Sequence, residues 1–167
     1  MWRFLAALGL CLALGACATA TRYSAARDVH ALLVSIRDED RMGFEAHIDR
    51  PALKAEIEQR LVKASPAKAR GLDGLAAILA PQLAGVISDT LIQPRVFRAI
   101  ADDYGYKTST SLPNSLAITG LLKTLPDGRI CATQKKDGPC LLVFTRQDGT
   151  WKLSGFEGDM KMLRIKL

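Results

Sequence analysis

The sequence predicts an α+β domain, with helices first and an antiparallel β-meander after them, on three observations. Apolar residues recur at helical spacing from Ala25 to Ile100. From Ser115 onward they fall instead into short runs. Those runs are separated by Pro126-Asp127-Gly128, Asp137-Gly138-Pro139 and Gln147-Asp148-Gly149, which carry the turn chemistry of hairpins. Helices and strands segregated along a chain place the helices together on one face of the sheet.

Residues 1–14 have the parts of an export signal: Arg3 supplies the positive end, and Phe4 to Leu14 is uncharged and rich in Leu and Ala. Leu14-Gly15-Ala16-Cys17 follows, and looks like the processing site of a bacterial lipoprotein. That resemblance implies cleavage before Cys17 and acylation of its thiol and new amino group. Ala18, rather than Asp, stands next to it. In Gram-negative lipoproteins this implies sorting to the outer membrane, facing the periplasm. Two other readings stay open. Ala18-Thr19-Ala20 also fits a soluble cleavage site, and the apolar run could be retained as an anchor, although it is shorter than the about 20 residues of a membrane span. The expected organisation is a signal peptide over 1–16, a lipidated tether over 17–24 and one domain over 25–167.

The elements follow in order. Ser24 is a candidate N-cap for a helix over Ala25–Arg37, with Val29, Leu32, Leu33 and Ile36 on one face. Asp38-Glu39-Asp40-Arg41 ends it in a charged turn. Asp49-Arg50-Pro51 is a capping acid followed by a first-turn proline, and Leu53, Ile57 and Leu61 recur at four-residue steps until Ala64-Ser65-Pro66. Between Gly71 and Pro94 the pattern predicts a helix broken at Pro81, with Leu75, Ile78, Leu79, Leu83, Val86, Ile87 and Leu91 inward and Ala84, Ser88 and Asp89 away. Gln93-Pro94 opens a short helix that buries Val96, Phe97 and Ile100 and stops before Gly105. Strands are expected at Leu116–Lys123, Arg129–Gln134, Cys140–Arg146 and Thr150–Phe156, with a last one at Met162–Leu167.

The four cysteines divide by position. Cys11 leaves with the signal and Cys17 is the lipid site, so Cys131 and Cys140 remain, flanking a turn. An even pair in an exported chain reads as a disulfide, here worth about 2–3 kcal/mol for so short a loop. A zinc site would need further ligands, and a redox pair would want two-residue spacing. No metal is expected.

Removing 16 of 167 residues leaves 151, enough for one core. The net charge falls from +6 to +5 because Arg3 is lost and no acid with it. Its bases are interleaved with acids rather than gathered in a stripe, which excludes nucleic acid as an expected partner. Histidine occurs only at positions 30 and 47, and Asp127, Asp137 and Asp148 sit in turns. No nucleophile elbow, phosphate loop or His-Glu-x-x-His pair is present, so no catalytic residue or cofactor is assigned. Asp38, Glu39 and Asp40 lack the spacing of a calcium loop. His47 and Asp49 could pair, but residues so placed near a helix start usually cap it. Tyr104 and Tyr106 either line a pocket mouth or anchor the crossing into the sheet.

Ile48-Asp49-Arg50-Pro51-Ala52-Leu53-Lys54, the Leu/Ala-rich stretch of residues 75–91, Gln93-Pro94, Tyr104-Gly105-Tyr106 and Trp151-Lys152-Leu153 occur in that order. Their order resembles bacterial domain-of-unknown-function family 2939, over about Ala25 to Phe156. The resemblance implies an exported or membrane-anchored protein and brings no activity or catalytic residue. The Cys131–Cys140 pair and the tail after Phe156 depart from it. The helix-then-meander order also looks like cone-shaped folds related to nuclear transport factor 2, a likeness of shape alone. Three functions follow as expectations. The first is a non-enzymatic envelope lipoprotein, membrane-held by its lipid, that binds an apolar small molecule or an envelope protein partner. The second is a small hydrolase or isomerase with an unrecognised pocket. The third is a structural accessory of the envelope.

Overall fold

The computed structural model describes residues 2–64, 85–103 and 111–157, with side chains described from residue 19 onward except at 61–64. Helix α1 spans Trp2–Arg37, α2 Arg41–Ala46 and α3 Arg50–Ala64. Residues 85–91 are helical (α4), followed by α5 (Pro94–Asp103) and α6 (Ser115–Thr119). Four strands follow: β1 (Leu122–Thr124), β2 (Ile130–Thr133), β3 (Cys140–Gln147) and β4 (Thr150–Phe156). They pair antiparallel in chain order, so helices and meander combine in the α+β arrangement that the sequence predicts.

The turn chemistry accounts for the meander. Asp137 and Asp148 take left-handed φ angles of 63° and 50°, and Gly128 and Gly149 take 84° and 86°. Tight hairpins need such conformations, which Asp and Gly tolerate. Pairing Ile130 with Phe144 and Phe144 with Leu153 aligns three apolar side chains across the sheet. All three are 1% exposed or less. Helices α1 and α3 pack on β4, and α1 also meets α2, α5, α6 and β1.

A short addition extends the sheet at β4. Ile48 bridges Leu153 in parallel, with Asp49 N–H donating to the Leu153 carbonyl at 2.8 Å and Leu153 N–H to the His47 carbonyl at 2.9 Å. The link between α2 and α3 thereby covers part of an edge that would otherwise present unpaired backbone groups.

Four expectations change. Helix α1 runs unbroken through residues 18–24, so the segment read as a tether is helical and Ser24 is interior to a helix, not its cap. Residues 116–119 are helical rather than extended, because the Asn114 side chain accepts from Ala117 N–H at 2.9 Å and starts α6. On α4 the expected pattern holds only in part: Leu91 packs against the core and Asp89 is exposed, but Ser88 is fully buried, while Val86 and Ile87 are 67% and 45% exposed. Ser88 can go inward because its hydroxyl donates to the Gly85 carbonyl at 2.9 Å and reaches Glu58 at 3.3 Å. Finally, α2 is a helix that the charged turn conceals, capped by Asp40, which accepts from Met42 N–H at 3.0 Å. The expected helix over residues 71–84, its break at Pro81, the stop before Gly105 and the strand Met162–Leu167 lie outside the described residues.

The core draws on every layer. Val29 and Leu32 of α1, Phe44 of α2, Leu53 and Ile57 of α3, Ile92, Ile118 of α6 and the inward strand residues form one cluster. The predicted stripes of the first and third helices are therefore the ones buried, with Leu33 and Ile36 packed at the margin. Phe97 of α5 sets its ring edge-on to Phe44 at 5.2 Å and lies 6.2 Å from Phe156.

Candidate functional site

The residues singled out from sequence fall in separate places. Cys17 lies within α1, eight positions before Ala25. Ala25 and Ala26 are both fully buried, so the helix carrying Cys17 is built into the domain. The side chain of Cys17, and all of Tyr104 and Tyr106, lie outside the described residues.

Cys131 and Cys140 form a disulfide across the β2–β3 hairpin, with Cα atoms 5.6 Å apart. It ties Cys131 to the strand residue paired with Thr133, beside a bulge at Ala132/Thr133. The hairpin tip is further held by Thr133 Oγ1 donating to the Lys135 carbonyl at 2.8 Å, and by Lys123 Nζ donating to the Gly138 carbonyl at 3.0 Å. These contacts make the bridge a clamp on a folded turn.

Among the described residues neither histidine meets a carboxylate. His30 Nδ1 is 3.0 Å from the Pro113 carbonyl, linking α1 to the start of α6, and His47 Nδ1 is 2.8 Å from the Gly43 carbonyl, closing α2. Asp49 turns to other work: it accepts from Ala52 N–H at 3.1 Å, capping α3, and from the Gln147 amide. The acidic run is likewise dispersed, with Asp38 on Arg37 at 2.7 Å, Glu39 on Arg98 at 2.6 Å and Asp40 capping α2. The hydrogen bond from the Arg37 guanidinium holds the Asp38 carboxyl below its ordinary range. Among the described residues no three His, Cys, Asp or Glu side chains gather as a metal site.

The structure adds polar links that the sequence did not show. Arg50 pairs with Glu45, donates to the Ile92 carbonyl at 2.9 Å and approaches Asp89, which also takes Lys54 Nζ at 2.7 Å. These contacts fasten α2, α3 and α4, and its bond to Glu45 raises the Arg50 guanidinium further above neutrality. Glu56 accepts from Phe156 N–H at 3.0 Å and pairs with Arg60, which also donates to the Phe156 carbonyl. Gly155 lies beneath: a Cβ there would sit 2.7 Å from Glu56 Oε2. A lone glycine inside the predicted strand was the available signal for such a close approach. Asp28 Oδ2 accepts from Trp151 N–H at 2.8 Å, fastening α1 to β4, while the buried Trp151 Nε1 has no partner among the described residues.

A family model described as "Protein of unknown function (DUF2939)" matches residues 10–100. The match runs from within α1 to most of α5 and ends before the sheet, short of the Phe156 limit expected for the resemblance. No curated protein and no solved structure matches the chain.

Proposed function

The chain belongs to the DUF2939 family of proteins of unknown function, and from that starting point we propose that it is an envelope lipoprotein whose domain holds an envelope protein partner through its surface. The lipid site is Cys17, and the anchored domain faces the periplasm from the outer membrane. The observation that carries this reading is the Cys131–Cys140 disulfide. Such bridges persist in oxidising compartments, where an export signal ending in Leu14-Gly15-Ala16-Cys17 would deliver the chain.

Two further observations favour a surface role over chemistry. Phe44, Phe144, Leu53, Ile92, Ile130 and Leu153 occupy the helix–sheet interior, each 1% exposed or less, where a small apolar ligand would have to lie. His30 and His47 are each engaged by a backbone carbonyl, of Pro113 and of Gly43 respectively, and among the described residues neither is paired with a carboxylate as an acid–base pair.

Intact mass and palmitate labelling test the anchor. The expected mature chain begins at Cys17 with acyl mass, and Cys17→Ala abolishes labelling; a mature chain that begins elsewhere or carries no acyl group overturns the reading. A photo-crosslinker at Met42, which is 85% exposed, tests the partner role. One reproducible protein adduct in intact envelopes is expected. The absence of any adduct there and at Val86 and Leu116 counts against it.

A further inference from the structure

We propose that the start of α1, from Thr19 to Arg27, is a contact surface for anionic lipid headgroups, so that the domain stands against the membrane in one orientation. This rests on acylation at Cys17. Four observations carry it. The helix is continuous from residue 17 into the buried pair Ala25 and Ala26, so it moves with the domain and does not act as a loose leash. Thr19, Ala20, Tyr23 and Arg27 are exposed, and Thr19, Tyr23 and Arg27 follow one another at four-residue steps on one helical face. Arg22 and Arg27 are the charged residues between Cys17 and Asp28, and neither forms an ion pair among the described residues. The first acid, Asp28, is turned inward onto Trp151 N–H.

The dimensions fit a headgroup layer. At about 1.5 Å per residue, Arg22 and Tyr23 lie about 8–9 Å along the helix from Cys17, and Arg27 lies about 15 Å along it. The polar layer of one leaflet is about 5–8 Å deep. Side chains on a helix lean toward its N-terminus, here toward the membrane, so the long Arg27 side chain reaches back to the same layer. Tyr23, 48% exposed, offers an apolar ring and a polar tip, the combination favoured at a bilayer interface. The alternative occupant of this face, a protein, would find a narrow stripe of two cations and one ring. A negatively charged plane at the height set by Cys17 meets all three together.

The test uses the mature lipoprotein in vesicles of phosphatidylcholine with and without phosphatidylglycerol. Trp151 is the tryptophan left once the segment containing Trp2 is removed, so energy transfer from it to a dansyl-labelled headgroup reports the approach of the domain. Transfer is expected to rise with phosphatidylglycerol and to fall with added salt. Arg22→Gln and Arg27→Gln each lower the ratio of apposed to lifted domain about fivefold, while Arg→Lys at either position preserves it. An acylated protein with equal transfer in both lipid compositions overturns the proposal and leaves the anchor standing. A protein without acyl mass that still binds phosphatidylglycerol vesicles in a salt-sensitive way keeps the contact surface and removes the anchor. No acyl mass and no such binding removes both.

Discussion

Replacing Asp49 separates two jobs that one carboxylate performs. Its Oδ1 caps α3 through Ala52 N–H at 3.1 Å, and its Oδ2 takes the Gln147 amide at the β3–β4 turn. Its backbone N–H, bonded to the Leu153 carbonyl at 2.8 Å, is unaffected by substitution of the side chain. Loss of a cap costs about 1 kcal/mol. A hydrogen bond to a charged acceptor adds about 1.5–3 kcal/mol when buried, reduced here to about 1 because Asp49 is only half-buried. Asp49→Ala should therefore cost about 2 kcal/mol, or about 4–8 °C in Tm for a domain of this size. Asp49→Asn keeps an acceptor for Ala52, and the Gln147 amide can flip to present its oxygen, so its cost should stay below about 0.5 kcal/mol. Urea and thermal unfolding of the purified protein measure both, with an unchanged urea slope as the check that folding remains two-state. Equal losses for Ala and Asn, or an Ala variant indistinguishable from wild type, would refute the reasoning.

Other consequences can be measured alongside. Reducing the Cys131–Cys140 bridge, or replacing both cysteines with Ser, should remove about 2–3 kcal/mol; a Tm that does not respond to reductant would contradict its role as a clamp. Gly155→Ala should cost about 1–3 kcal/mol because its Cβ meets Glu56, which is held by Phe156 N–H and Arg60. Adding Glu56→Ala should relieve part of that cost, so strictly additive losses would exclude the clash. Asp127 is held below the ordinary aspartate range, first by Arg129 N–H and then by its guanidinium. Its stabilising effect is thus full above about pH 4 and fades as the pH falls through the lowered folded value. An NMR titration should show that low midpoint, and Arg129→Ala should raise it only part way, since the backbone bond remains.

Features decided by neighbouring residues were legible in the chain. Asp-Gly turns read correctly because a left-handed φ is demanded within the turn itself. Asp49-Arg50-Pro51 marked the start of α3 because capping is a contact across three residues. The same local character allowed the pairing of Cys131 with Cys140 to be expected across a hairpin. The site residues were less legible: His30, His47 and Asp49 take their roles from Pro113, Gly43 and Gln147, two of them distant in sequence.

Local chemistry in the sequence determined helices followed by a meander, where most of the turns fall, and which stripes of the first and third helices are apolar. Only tertiary structure decided which face of α4 is inside, since Ser88 is buried by virtue of partners that include Glu58, thirty positions earlier. It also decided that residues 116–119 coil rather than extend, a choice that a short apolar run leaves to its cap and its packing on α1. Burial depends on what lies opposite, and in a folded chain that is set by contacts far apart in the sequence.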